Sequence, residues 1–323
     1  MVKAVRVHET GGPEVMRIED IEIPPPGRGE VVMRNHACGV NFIDVYYREG
    51  RYKAQLPFTL GDESAGEVVA VGKGVKSVKA GDRVAALSTF GGYAEARLVN
   101  ADRLIKLPKS ISYETAAAML LKGLTAQYLL RQTFKVKKGH RVLIHAAAGG
   151  VGLILCQWAK ALGAQVIGTV GTLEKAALAK KAGAKHVILY RNEDFAARVK
   201  EITKDELCDV VYDGVGKATF PASLDCLRPR GLFVSFGSSS GPVDAFDIGL
   251  LASRGSLYAT RPSLNTYAAS SEALNKMAAD LIDIVSSGKV EIALGGAFPL
   301  EEAANLHRAL ENRETTGSLV LIP

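Results

Sequence analysis

The chain has 323 residues, 47% hydrophobic and 23% charged, which suits a globular protein of two domains better than one with a single core. Its formal charge of +6 is spread without a run of five like charges, so it shows no basic arm for nucleic acid or a membrane surface. No apolar run reaches the roughly 18 residues that span a bilayer, and "MVKAVRVHETGG" lacks the apolar stretch of a signal peptide, so a cytoplasmic location is expected. Cys38, Cys156, Cys208 and Cys226 have no short spacing, which argues against a disulfide framework and a structural zinc site.

Residues 1 to about 122 read as short strands punctuated by Gly and Pro: "VVMRNHACGV", "AGEVVAVGKGV", "GDRVAAL" and "GGYAEARLV". That spacing suits an irregular antiparallel barrel. From 123 to 258 apolar strands alternate with helices: "RVLIHA", "GGVGLILCQWAKALG", "QVIGTV", "TLEKAALAKKAG", "HVILY", "DVVYDGVG" and "GLFVSFG". Strands apolar on both faces and separated by helices form a parallel sheet covered on both sides. Residues 259 to 323 carry two amphipathic helices, "SEALNKMAADLIDIVSSGK" and "EEAANLHRALENR", then the strand "GSLVLIP". Ending on a strand predicts a return to the first domain. The expected division is therefore 1–122 with 259–323, and 123–258 between them.

The segment "HAAAGGVG" follows a strand and opens a helix, with Ala147, Gly149 and Gly152 in the places of a G-x-G-x-x-G fingerprint. Gly149 admits a pyrophosphate to the backbone, and Gly152 lets the helix press on the sheet. The helix start, Gly150 and Val151 included, offers amides and a positive dipole end to the anion. An NAD site places an acid at the end of the second strand. Here Val170 holds that position, followed by Gly171 and by Thr172, a helix cap. Lys175 lies one turn into the helix and Tyr190 ends the next strand, a lysine and a phenol suited to a 2′-phosphate. NADPH is the expected cofactor.

The chain resembles the medium-chain dehydrogenase/reductase superfamily, and within it the quinone oxidoreductases related to zeta-crystallin. The likeness rests on "GGPEVM", "GVNFIDVYYREGRY", "LPFTLGDESAGEV", "LLKGLTAQYLLR", "HAAAGGVGLILCQWAKALGA", "IGTVGTLEK", "VVYDGVG", "LDCLRPRGLFVSFGSSSG" and "GSLYATRPSL", and it covers essentially the whole length. The resemblance implies a GroES-like catalytic domain completed by the C-terminal strands and a Rossmann domain between. Zinc members of this superfamily carry cysteine where Asn41 stands and histidine where Asp62 stands. Asn and Asp favour hard cations with further oxygen ligands, so no metal is expected. Cys38, three residues from Asn41, is expected to be a packed small residue. A quinone accepts hydride readily and spreads the charge over its ring, so it can do without a Lewis acid.

What the resemblance implies for individual residues follows the same stretches. Asn41, Phe42 and Ile43 are expected beside the nicotinamide, with the Asn41 amide bonded to its ribose or to the acceptor's oxygen, or else merely capping a loop. Tyr46 and Tyr52 are candidates to line the quinone site in the interdomain cleft, with Asp62 orienting the cluster. Lys122, Thr125 and Tyr128 are expected near the nicotinamide and phosphates. Gly214, Phe236, Gly237, Ser238 and Ser239 fall at strand ends, where open α/β sheets bind ligands. Arg261 is expected to reach a phosphate or the acceptor, or to tie the domains. His145 reads as a strand-end residue, Trp158 as core, and "NEDFAARVKEIT" as a surface helix.

The function expected is NADPH-dependent reduction of a small quinone by a cytoplasmic homodimer, without metal. Two rivals stand beside it: reduction of an enone or alkenal, and an RNA-binding or structural crystallin role. For RNA, the nearest basic and aromatic cluster is Tyr46, Tyr47, Arg48, Arg51 and Tyr52.

Overall fold

All 323 residues are described by the structure, a computed structural model. The first part runs β1 (Val2–Val7), β2 (Met16–Ile21), β3 (Glu30–Val40), α1 (Phe42–Arg48), β4 (Phe58–Thr59), β5 (Glu63–Val71), β6 (Arg83–Leu87), β7 (Ala96–Asn100), β8 (Leu104–Lys106) and α2 (Tyr113–Tyr128). The middle runs β9 (Arg141–Ile144), α3 (Gly150–Ala161), β10 (Gln165–Val170), α4 (Leu173–Lys181), β11 (His186–Leu189), α5 (Phe195–Thr203), β12 (Cys208–Asp213), β13 (Leu227–Ser235), α6 (Gly249–Ser253) and β14 (Tyr258–Thr260). The tail adds α7 (Leu264–Tyr267), α8 (Ser271–Ser286), β15 (Leu294–Pro299), α9 (Ala303–Glu311) and β16 (Ser318–Ile322).

The chain divides into two compact units. One comprises Met1–Lys122, Ser270–Ala279 and Ile292–Pro323; the other comprises Gly123–Ala269 and Asp280–Glu291. The second therefore runs past the expected end at 258, because β14 is hydrogen-bonded to β13 in register Leu232 to Tyr258 through Val234 to Thr260.

In the first unit, β2, β1 and β4 form a small antiparallel sheet, and a larger one is ordered β15-β16-β3-β5-β6-β8, with β7 also on β3. Strand β3 alternates buried and exposed residues from Met33 to Ala37, then is buried continuously from Ala37 to Val40. In that second stretch β16 pairs one edge and β5 the other, so the tail strand does return to this sheet. Its Leu319 and Leu321 join Val5, Val7, Cys38, Val40 and Leu60 in one core, with Leu300 and Leu306 from the segment before them.

The second unit is a parallel sheet of six strands in the order β11-β10-β9-β12-β13-β14. Chain order reverses between β9 and β12, so the carboxyl ends of those two strands flank the crevice where such sheets bind ligands. Leu143, Ile167, Val211 and Phe233 are buried within the sheet, as continuous apolar strands require.

Helix α3 must start hard against the loop after β9, and Gly152 is what permits it. A Cβ there would stand 2.2 Å from the Ala146 carbonyl oxygen and 2.9 Å from Ala147 Cα, whereas one on Gly149 would meet only the Ala146 oxygen at 3.2 Å. Ala147 fits in its fingerprint place because the facing residue on β10 is Gly168, whose own Cβ would lie 2.7 Å from that of Ala147. Backbone and neighbours offer no room to yield, so Gly152→Ala is expected to cost about 1–3 kcal/mol. Thermal denaturation should show a clear drop for Gly152→Ala and a smaller one for Gly149→Ala; equal losses would contradict this account.

Candidate active and nucleotide sites

In the second unit the expected nucleotide residues gather on the carboxyl edge of the sheet. Gly149 is the N-cap of α3, with extended φ −77° and ψ 170°. The amides of Gly150, Val151 and Gly152 then open the helix without intrahelical acceptors, as an anion site needs. Ala146, at φ +51°, turns the chain into this loop, and its carbonyl accepts from the Gly149 amide at 2.9 Å. The left-handed residue is thus Ala146, one place before the fingerprint position at Ala147.

After β10, Thr172 caps α4 by accepting from the Lys175 amide at 3.3 Å. A Cβ on Gly171 would lie 3.0 Å from Tyr190 Oη and 3.3 Å from Arg191 Nε. Glycine therefore leaves a hollow lined by a phenol and a guanidinium, with Lys175 on the adjoining helix turn. Val170, the last residue of β10, is buried and no carboxylate takes its place. These groups fit a nucleotide bearing a 2′-phosphate. Arg191 escaped sequence reasoning; its position next to Tyr190, just beyond a strand, was the available signal.

Farther along the same edge, Asp213 organises the turn after β12. Its Oδ1 accepts from the Val215 and Gly216 amides at 2.7 and 3.0 Å, and its Oδ2 from Thr219 Oγ1 at 2.6 Å. A Cβ on Gly214 would meet the Phe236 ring at 2.9 Å, and the Ser239 amide donates to the Gly214 carbonyl at 3.2 Å. The 214–216 turn and the 236–239 segment therefore form one surface, Gly237 and Ser238 included. His145 is buried between Thr169 Oγ1, at 2.8 Å, and Ser223 Oγ, at 3.0 Å. Burial holds its pKa below the ordinary value, so it is a neutral structural link and not a base.

Arg261 donates to the Ser235 carbonyl and hydroxyl and, at 2.7 Å, to the Gly237 carbonyl. It ties β14 to the end of β13, within this unit. Tyr128 is buried with its ring stacked on Tyr267 at 4.6 Å, and it hydrogen-bonds Thr125; burial raises its pKa. Trp158 is buried on α3, as expected.

The first unit holds a second cluster, knotted by a buried ammonium. Lys122 Nζ donates to Asn41 Oδ1 at 2.6 Å, to the Val40 carbonyl at 3.2 Å and to Glu63 Oε1 at 3.3 Å. Asn41 Nδ2 donates to Glu63 Oε1 at 2.8 Å and to the Gly39 carbonyl at 3.3 Å. Glu63 Oε2 accepts the Leu121 amide at 2.6 Å. All three ammonium hydrogens and both amide hydrogens are thereby used. Two expectations change. Lys122 has no hydrogen left for a cofactor, and Asn41 none for an acceptor's oxygen; the Asn41 side-chain oxygen, bonded to Lys122, also closes a capping box with the Asp44 amide.

Asn41 also opens α1, its amide donating to Asp44 Oδ2 at 2.9 Å. Phe42, half-buried beside Ile43, starts a run of rings: Phe42 to Tyr46 at 5.5 Å, Tyr46 to Tyr52 at 5.4 Å, Tyr52 to Tyr47 at 5.5 Å and Tyr47 to Phe90 at 4.8 Å. Tyr46 is buried while Tyr52 is 39% exposed, so Tyr52 is the better placed to meet a ligand. Arg48 is wholly buried, paired with Glu311 at 2.7 Å. Tyr46 and Arg48 are inside, so Arg51 and Tyr52 are the exposed members of that basic and aromatic cluster.

Cys38 packs in the core and all four cysteines are free and buried, which raises their thiol pKa values. Asp62 is buried beside this cluster, and burial pushes its carboxyl up to about 6 against the pull of Arg97. No group of three or more His, Cys, Asp or Glu side chains is arranged to hold a metal ion.

A glycine-started helix on an all-parallel six-stranded sheet, joined in one chain to a mostly antiparallel unit completed by the C-terminal strand, defines the medium-chain dehydrogenase/reductase architecture. The family model for the alcohol dehydrogenase GroES-like domain matches residues 27–109, and that for zinc-binding dehydrogenase matches 150–282. A quinone oxidoreductase of Pseudomonas aeruginosa is 51% identical, with all of both chains covered. A 2-haloacrylate reductase of a Burkholderia species is 45% identical over 100% of this chain and 99% of its own. The crystal structure of Escherichia coli quinone oxidoreductase complexed with NADPH superposes with a TM-score of 0.98 at 49% identity, covering 99% of this chain and 100% of that one. The chain belongs to the quinone oxidoreductase family.

A carboxyl whose folded pKa lies above its unfolded value costs stability once it ionises. For Asp62 the folded state holds more protons than the unfolded state between about pH 4 and about pH 6, so stability falls with rising pH across that window and is level above it. Asp62→Asn should remove this contribution and raise stability at neutral pH, leaving the separate fall that the raised Asp44 carboxyl adds. The difference in melting temperature between variant and wild type should vanish near pH 4, grow to pH 6, then stay constant; a difference independent of pH would refute the burial argument.

Proposed function

We propose that this protein is an NADPH:quinone oxidoreductase, and that the hollow at Gly171 is what carries the choice of NADPH. NADPH, when bound, supplies the hydride. The amides of Gly150, Val151 and Gly152 receive its pyrophosphate, and Lys175, Tyr190 and Arg191 receive the 2′-phosphate. Gly214, Phe236, Gly237, Ser238 and Ser239 border the nucleotide along the sheet edge. Asn41 is assigned to the nicotinamide ribose on family likeness, and Phe42, Ile43 and Tyr52 provide an apolar and aromatic seat for a flat acceptor. Thr125 and Tyr128 are assigned to the cofactor side on family likeness.

A quinone needs little electrophilic help, which accords with a first unit whose ammonium and carboxamide hydrogens are consumed internally. The 2-haloacrylate reductase relative favours a second reading, reduction of an activated alkene. NADPH oxidation measured with 1,4-benzoquinone, a naphthoquinone, 2-chloroacrylate and short enones separates the two. The quinones should turn over at least tenfold faster; a preference for the alkenes would replace the first reading by the second. Lys175→Glu should raise the Michaelis constant for NADPH at least tenfold and leave that for NADH unchanged. Equal loss with both would refute the phosphate assignment.

For the assembly, a homodimer is supported by the open edge of β14. Strand β14 pairs only with β13, and Tyr258 on it is 60% exposed. An unpaired apolar edge invites a second copy. A monomer in sedimentation velocity at micromolar concentration would refute it. No helix is long and apolar enough to cross a membrane; a cytoplasmic site of action is part of the proposal.

A further inference from the structure

The first unit buries three carboxyls close together, yet only one of them is in an ion pair. Glu63 has Lys122. Arg97, which faces Asp62, spends its terminal nitrogens on Ser64 Oγ and on the Ser88 and Phe90 carbonyls. Asp44 receives two donors, and both go to the same oxygen: the Asn41 amide at 2.9 Å and Tyr93 Oη at 2.9 Å reach Oδ2. Asp44 Oδ1 and Asp62 Oδ1 are both buried without a hydrogen-bond partner.

That arrangement at Asp44 is imposed from the far side of the unit. Arg48 Nη1 lies 3.2 Å from His307 Nδ1, and His307 Nε2 lies 3.3 Å from Tyr93 Oη. A guanidinium can only donate, so Nδ1 accepts and the imidazole proton sits on Nε2. Nε2–H then donates to the Tyr93 oxygen, and the Tyr93 hydrogen is left for Asp44 Oδ2. Burial and the adjacent Arg48 push His307 down to about 3, so the ring stays neutral and the polarity of the chain is fixed. Arginine does not release a proton, so this chain orients Asp44 and supplies it with nothing.

We propose, resting on the quinone reading above, that Asp44 and Asp62 together retain one proton at neutral pH, carried on Asp44 Oδ1, and that this proton passes through Asp62 to the reduced quinone's oxygen. Asp62 is the outer member, 7% exposed against 1% for Asp44. The step balances. Hydride brings two electrons and one hydrogen to the quinone, leaving a hydroquinone monoanion. The Asp44 O–H bond breaks, an O–H bond forms on the quinone oxygen, and the carboxyl pair gains one negative charge. Water at Asp62 restores the proton. The groups facing the pair are Glu63 on β5, Arg97 on β7, Cys38 on β3, Tyr47 on α1, Tyr93 before β7 and, through Tyr93, His307 on α9. Burial first, then the charge of Asp62, hold Asp44 well above the usual carboxylate range, while Tyr93 and the Asn41 amide pull it down.

Carbon-13 NMR of the full-length protein labelled at the aspartate carboxyl carbon reads the proton directly. At pH 7 the wild type should show one aspartate at the protonated shift, absent in Asp44→Asn. With NADPH and 1,4-benzoquinone, Asp44→Asn and Asp62→Asn should each lower kcat at least tenfold and keep the NADPH dissociation constant within twofold. Tyr93→Phe removes one donor from Oδ2, which disfavours the carboxylate. It should move the alkaline fall of kcat upward by about half a pH unit, a shift that a packing role for Tyr93 would not produce. A fully ionised aspartate complement at pH 7, or undiminished kcat in both aspartate variants, overturns the proposal. If the wild type binds NADPH but reduces no quinone, the functional reading fails and with it the proton's destination; the NMR spectrum still decides whether the pair holds a proton.

Discussion

The first unit depends on one buried ion pair. Lys122, near the middle of α2, brings a positive charge to strands β3 and β5, and Glu63 answers it with no exposed atom of its own. Removing one partner of such a pair leaves an uncompensated buried charge, a cost of roughly 3–5 kcal/mol. Here the consequence reaches further, because the same carboxylate binds the Leu121 amide and the Asn41 carboxamide. One side chain therefore fixes helix to sheet, and sheet to the start of α1. Gly39 completes the fit: a Cβ on it would stand 2.2 Å from the Ala117 carbonyl oxygen and 2.3 Å from Glu63 Oε1. Strand and helix approach until only hydrogen fits between them.

The second unit works by a different constraint, the space left at strand ends. Its nucleotide edge is defined by where Cβ atoms are missing: Gly152 lets α3 meet its loop, Gly171 keeps the phenol and guanidinium apart from the backbone, and Gly214 lies under Phe236. Lys175 and Arg191 stand near Gly171, while the buried Asp213 holds the turn at Gly214. A site so built would select by shape for the dinucleotide and, on the proposal above, by a few donors for the additional phosphate.

Much of this was legible in the sequence where local rules and tertiary demands agree. The parallel sheet was readable because β9, β10 and β12 are apolar on both faces, and "HAAAGGVG" sat between a strand and a helix. Tyr190 and the missing acid at Val170 were readable as neighbours of Gly171 because both lie at predictable strand ends. Other features depend on contacts distant in sequence. No spacing rule links Arg48 to His307 or Glu311, more than 250 residues away, so Arg48 read as one of a basic and aromatic cluster at the active-site cleft. Lys122 read as a cofactor residue because nothing local reveals that Asn41 and Glu63 converge on it. The boundary at 258 split β14, since "SLYAT" lies just where the strand rhythm gives way to turns. Arg191 was missed beside a tyrosine that had already explained its neighbourhood.

The distribution of charge around α1 has a chemical consequence. Three ionised carboxylates in one buried cluster would repel any anion forming nearby, and at an effective dielectric of about 20 a like charge at 4 Å costs about 4 kcal/mol. Hydride addition to a quinone creates such an anion. With Glu63 neutralised by Lys122, the burden falls on Asp44 and Asp62, which have no ion pair of their own. Keeping a proton on that pair removes one of the repelling charges before the electrons arrive and gives it up once they have. On that proposal, the features that look unfavourable for stability, two unpartnered carboxyl oxygens and a carboxyl pushed up to about 6, are the ones that would make the first unit tolerant of negative charge in an acceptor.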